Sequence, residues 1–111
     1  MAIKFINVPT EAGELRVALG DDEETIIFKM GIVVFSLDKE KIVTLNNILN
    51  SNDAGRVNIL NDICLEIGPV VGPAPREMRM GPESILLSAA QVLDFLGWFI
   101  WRFLYNETKQ L

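Results

Sequence analysis

Residues 83–109 read ESILLSAAQVLDFLGWFIWRFLYNETK. Six of the nine aromatic side chains of the protein (Phe95, Trp98, Phe99, Trp101, Phe103 and Tyr105) fall within eleven consecutive positions of this stretch. Pro82 stands just before it, and proline suits the first position of a helix, where no N–H is needed. Placed on a helical wheel, Ser84, Ser88, Gln91, Asp94, Arg102, Asn106 and Lys109 gather on one narrow stripe and almost everything else is apolar. The pattern predicts a single long helix over 83–109 that is buried around most of its girth.

Such a helix has three ways to hide its surface. It packs beneath its own sheet, it meets a second chain, or it enters a membrane. If two copies crossed antiparallel near Trp98, Asp94 of one would face Arg102 of the other, with Trp101 and Tyr105 in the same seam. A polar pair of that kind fixes register more than it adds stability. Asp94, Trp98, Trp101, Arg102 and Tyr105 are therefore the expected self-association residues. For the membrane alternative, eleven Leu, Ile, Val and Phe residues between Ile85 and Tyr105 are worth about −3 to −7 kcal/mol, against about +2.5 to +3.5 kcal/mol each for Asp94 and Arg102. The sum is near zero, so a membrane partner is not favoured.

Working toward the N-terminus, residues 68–82 hold four of the five prolines and three of the eight glycines. They read as a loop of about fifteen residues, long enough to carry function. Within it, Arg76 and Arg79 offer forked donors for carboxylate or phosphate. Met78 and Met80 offer adaptable apolar contact. These four are the expected partner-binding residues.

Residues 38–67 read as two short helices. Ser36 is placed to cap the first, whose apolar face is Ile42, Leu45, Ile48 and Leu49. The second, over Arg56–Ile67, shows Leu60, Ile63, Cys64 and Ile67 at helical spacing. The tetrad Asn-Ile-Leu-Asn occurs at 47–50 and again at 58–61; two short amphipathic segments drawing on the same residues explain it without a repeat. Residues 1–37 read as antiparallel strands over Ala2–Val8, Glu14–Leu19 and Thr25–Phe35, with Gly31 as a bulge in the third. The fold class is thus α+β in one domain: a small antiparallel sheet of about three strands, two short helices, a Pro/Gly-rich loop and a long apolar C-terminal helix.

Composition narrows the chemistry. With no histidine and one cysteine in 111 residues, imidazole catalysis and zinc sites built on His and Cys are excluded. No internal disulfide can form, which fits a reducing compartment. Cys64 reads as an inert small apolar residue on a helix face. The acidic run Asp21–Glu24 lacks the alternation and glycine of a calcium loop. A formal charge of −5 argues against generic nucleic-acid affinity, which depends on clustered Lys and Arg. Met1–Gly13 has no apolar run of signal-peptide length.

One resemblance stands on "GIVVFSLDKEKIVTLNNIL" (31–49) and the strands preceding it from Gly13. This third of the chain resembles the transcriptional positive-cofactor family of single-strand DNA binders, in which antiparallel strands lead through a Gly-hydrophobic-Ser-Leu segment into an amphipathic dimer helix. The resemblance implies a sheet face that binds single strands. The strands here hold only Lys4, Arg16 and Lys29 as cations, with Phe5, Phe28 and Phe35 as aromatics. The sequence therefore favours a non-enzymatic, cofactor-free, cytoplasmic interaction protein of accessory, inhibitor or virus-encoded type. It is expected to form a homodimer through its C-terminal helix and to bind a macromolecular protein partner. The alternatives are a single-stranded nucleic-acid binder using the sheet face and a membrane-associated protein anchored by the helix.

Overall fold

Leu15, Val17, Ile26, Phe28 and Met30 are buried while Arg16 is exposed and Ile27 and Lys29 are half-buried, the period-two pattern of strands with one covered face. In the computed structural model, which describes residues 4–21 and 24–99, these strands belong to the first of two four-stranded antiparallel sheets. The first sheet orders β1 (Ile6–Val8), β2 (Leu15–Leu19), β3 (Thr25–Met30) and β4 (Val33–Asp38), and helix α1 (Lys39–Asn50) follows. The second orders β5 (Gly55–Leu60), β6 (Ile63–Ile67), β7 (Arg76–Met80) and β8 (Glu83–Leu87), and helix α2 (Ala89–Phe99) follows. The class is α+β, with two sheets in place of one.

The two halves are one plan written twice, fifty positions apart. Leu15 pairs with Met30 and Leu65 with Met80; Val17 pairs with Phe28 and Ile67 with Met78; Phe28 pairs with Phe35 and Met78 with Ile85. Met30-Gly31 and Met80-Gly81 open equivalent two-residue turns, with φ of 58° and 59° at the glycines. A positive φ at the first central position is the II′ hairpin geometry, which only glycine adopts without strain. Each fourth strand then runs into a helix through an N-cap. Asp38 Oδ1 accepts from Lys41 N at 3.0 Å. Ser88 Oγ accepts from Gln91 N at 3.2 Å while Gln91 Oε1 accepts from Ser88 N at 3.0 Å, a reciprocal capping box.

Five expectations need correction. Gly31 turns a hairpin and is not a bulge, so Thr25–Phe35 is two strands. Asp38, and not Ser36, caps α1: Asp38 directly precedes Lys39, whereas Ser36 lies two residues further back in β4. Arg56–Ile67 is a hairpin, not a helix. Val57, Leu65 and Ile67 are buried on one face, and the apparent helical period came from Leu60 and Ile63, which flank the turn and point to solvent. The loop ends before Arg76, where β7 begins. Residues 83–87 form a strand, and the long helix over 83–109 reduces to α2 over Ala89–Phe99 among the described residues; its expected continuation lies outside them. The helix over Lys39–Asn50, with Ile42, Leu45 and Leu49 buried, is as the spacing predicts.

One hydrophobic core collects side chains from both sheets and both helices. Each helix touches its own half and also reaches across to the other. Helix α1 lies against β5 of the second sheet, where Lys41 Nζ donates to Ile59 O at 3.2 Å. Phe95 of α2 meets Phe28 of the first sheet edge-on, with ring centroids 6.2 Å apart. Burying Ile42, Leu45 and Leu49 in this common core contributes about 1.5–3 kcal/mol per side chain. A further tie is made by residues 11–12, which pair with the outer edge of β8: Glu11 N donates to Leu86 O at 2.8 Å and Leu86 N to Ala12 O at 2.9 Å.

Candidate functional site

Each sheet turns its alternate side chains away from the core, and the register assembles them into rows. In the first sheet Asn7, Arg16, Lys29 and Val34 stand abreast on β1 to β4. In the second sheet the equivalent row is Arg56, Glu66, Arg79 and Ser84. Neighbouring strands are about 4.8 Å apart, so Arg16 and Lys29 put two cations on adjacent strands of one open face. Arg56 and Arg79 instead flank Glu66. Two surface ion pairs hold part of this charge in place: Arg16–Glu14 at 2.8 Å and Arg79–Glu77 at 3.5 Å. With the paired Glu14 and Glu77 included, the first row keeps one net positive charge and the second is neutral.

Apolar and amide groups complete the faces. Ile27 and Val34 sit beside the cations of the first sheet, and Asn58 stands opposite Cys64 in the second. Cys64 is not on a helix face. Its thiol lies half-buried on the outer side of β6 and donates to Asn58 Oδ1 at 2.9 Å. Phe28 and Phe35 stack inside the core with ring centroids 5.1 Å apart, so they offer no exposed stacking surface.

The residues expected to bind a partner are scattered by the fold. Arg76 is buried, and all of its donor capacity is used within the chain. Nε donates to Gly68 O at 2.8 Å, Nη1 to Leu49 O at 3.1 Å and Ser51 O at 2.9 Å, and Nη2 to Ile48 O at 3.1 Å and Asp53 O at 2.7 Å. It closes the C-terminal end of α1, where backbone carbonyls have no helical partner, and a cation there also suits the helix dipole. Burial lowers its pKa from the ordinary value, and the Asp53 carboxylate opposes that shift. Met78 and Met80 are core side chains. Of the four, Arg79 alone reaches solvent, on the second sheet face. The assignment of Arg76, Met78 and Met80 to a contact surface is thus corrected: an Arg-Glu-Met-Arg-Met segment read as loop is an inward–outward strand.

Of the expected self-association residues, Asp94 is exposed on α2 and Trp98 is half-buried. Both line a cavity of about 160 Å³ between α2 and β1, together with Ile6, Val8, Phe95 and Gln91. Trp101, Arg102 and Tyr105 lie outside the described residues. Val92, Phe95 and Leu96 of α2 are buried within the chain's own core, while Leu93 on the same stretch is 68% exposed. Among the described residues no helix is long and apolar enough to cross a membrane, and no group of His, Cys, Asp and Glu is placed to hold a metal ion. Asp22 and Glu23 of the acidic turn lie outside the described residues.

No protein-family model, curated protein or solved structure matches the chain. Its function is argued from its own geometry.

Sequence reasoning named Arg16 and Lys29 but found no reason to set them side by side. It missed Arg56 as a face residue by placing it in a helix. The signal was present: Arg56, Asn58, Cys64 and Glu66 alternate with Val57, Ile59, Leu65 and Ile67 around Asn61-Asp62.

Proposed function

We propose that the protein binds single-stranded nucleic acid across the outer faces of its two sheets, with the first sheet as the principal contact. The observation that carries this reading is the paired row Arg16–Lys29, set on adjacent strands of an open antiparallel face and repeated in weaker form by Arg56 and Arg79. Guanidinium and ammonium groups neutralise phosphates, Asn7 offers an amide to sugar or base edges, and Val34 and Ile27 offer apolar contact to bases. The resemblance of residues 13–49 to the positive-cofactor family supports it too. The amphipathic helix that the resemblance implies after the strands corresponds in position to α1, which follows β4.

The charge count sets the strength. Two phosphates neutralised on a single strand give a salt slope of roughly −1.4 in log–log form. Binding is therefore expected to be weak and most visible at low ionic strength. Fluorescence anisotropy of labelled oligonucleotides, titrated at rising salt, tests this. The Arg16→Glu/Lys29→Glu double variant should weaken binding tenfold or more and flatten the slope. Affinity that is absent at low salt, or indifferent to both substitutions, would discard the reading.

A further inference from the structure

The edge of the first sheet that corresponds to the covered edge of the second is left open. Leu86 of β8 exchanges backbone hydrogen bonds with Glu11 and Ala12, which belong to the six-residue connection between β1 and β2. Fifty positions earlier, the counterpart of Leu86 is Ser36 of β4. The counterpart of the covering connection is the two-residue turn Asn61-Asp62 between β5 and β6, too short to supply a strand. Strand β4 is terminal in its sheet, and among the described residues no backbone group of Val33–Asp38 bonds beyond β3 other than into α1.

Several of the exposed apolar side chains lie on or near this edge. Ile32 is 84% exposed and Val34 58%, on the turn and strand themselves. Leu60 and Ile63, 64% and 53% exposed, flank the Asn61-Asp62 turn. The Lys41–Ile59 hydrogen bond sets the end of β5 against the start of α1, beside β4. Sheet edges are normally protected by lysine, proline or a bulge. β4 has none of these, and its register with β3 runs unbroken over six pairs.

We propose that β4 is an interface for a second copy of this chain, the two β4 strands pairing antiparallel about a two-fold axis at Phe35. That register places Val34 opposite Ser36 of the second copy, continuing the outward-facing hydrogen-bond pattern that Leu86 displays on β8. It also brings Lys39, the first residue of α1, near the partner's Gly31, against which the Glu83 carboxylate packs, so opposite charges approach at each end of the seam. No acidic or basic side chain falls between those ends except Asp38. Two first sheets would join into one eight-stranded sheet with both Arg16–Lys29 rows on a continuous face. The inference stands independently of what that face binds. A six-residue strand pair buries less than the ~1,200 Å² of a stable complex, so the dimer is reversible and forms at micromolar or higher concentration.

Sedimentation equilibrium on the full chain, with reductant present, should show the weight-average mass rising from monomer toward dimer as concentration increases. Backbone amide exchange at Val34 and Ser36 should slow in parallel. Val34→Glu keeps a cross-strand partner in Lys29 and so preserves the sheet, but it sets two carboxylates beside the dyad; it should weaken association at least tenfold with an unchanged thermal melt. Ile32→Glu is the second variant should the first fail to fold. A chain that stays monomeric throughout the range overturns the proposal. So does association that persists unweakened in the folded variants, which would assign it to another surface.

Discussion

The two halves share a register but solve the same packing problems with different residues. Where the second half buries Arg76 at the start of β7, the first buries Ile26 at the equivalent place in β3. Where β5 offers Gly55 to Ile48 of α1, β1 offers Ile6 to Trp98 of α2. Gly55 lets the helix settle onto the strand, since a Cβ there would come within 2.8 Å of Ile48 Cγ1. The larger Ile6 and Trp98 line an open cavity instead. Equivalent positions in a repeat thus tolerate different chemistry, provided each local set of groups is satisfied. Arg76 is tolerated only because five carbonyls converge on it.

The largest test of that statement is Arg76→Ile, which writes the first half's solution into the second. If the halves were interchangeable it would be mild. We expect a loss of about 3–5 kcal/mol in urea denaturation, because a network of charge-assisted hydrogen bonds disappears and buried carbonyls of the α1 terminus go unpaired. Conversely, Ile26→Val in the first half should cost only about 0.5–1.5 kcal/mol.

An intermediate effect is expected where the helix meets the strand. Gly55→Ala should cost about 1–3 kcal/mol by overpacking against Ile48, and Ile48→Ala in the same chain should return part of it. A double-mutant cycle on thermal melts reads the coupling directly. Additive costs would mean that α1 does not rest on Gly55. The smallest effect belongs to the caps. Ser88→Ala and Asp38→Ala should each cost about 1 kcal/mol, measured by the same melts. The two should be similar, since each removes one side-chain acceptor: at α2 the backbone N–H of residue 88 still donates to Gln91 Oε1 after Ser88→Ala, and at α1 Asp38→Ala removes the single bond from Lys41 N.

These contrasts explain what could be read in the sequence. The strands over 15–19 and 25–30 and the helix over 39–50 were legible because a clean period of two or 3.6 coincided with burial. The second half was hidden by residues that imitate other structures. Pro82 looked like the opening of a helix but occupies the hairpin turn after Gly81. Leu60 and Ile63 supplied an apolar period that the fold leaves in water. The repeat itself surfaced most plainly in Lys29-Met30-Gly31 and Arg79-Met80-Gly81, with isolated identities at Leu15 and Leu65 and at Leu37 and Leu87. Most other matched positions differ in identity, as with Phe35 and Ile85, Leu45 and Phe95, or Asp38 and Ser88. At the candidate site the failure was one of addressing. Arg16 and Lys29 are thirteen positions apart, and only pairing of β2 with β3 makes them neighbours. The choice of Arg76 followed its donors correctly but could not show that α1 ends on top of it.

The sharing of one core by both halves has a consequence for how the chain comes into being. Helix α1 leaves the ribosome before the strand it rests on, and the first sheet must wait for Phe95 before its core is sealed. Neither half is expected to be a foldon, since one core draws on both. Severed between Asn50 and Gly55, the pieces should be unfolded apart and regain structure only when mixed, each serving as the other's missing lid. The tandem order of the repeats then acts as a tether, fixing at high local concentration a partnership that two separate molecules would have to find by diffusion.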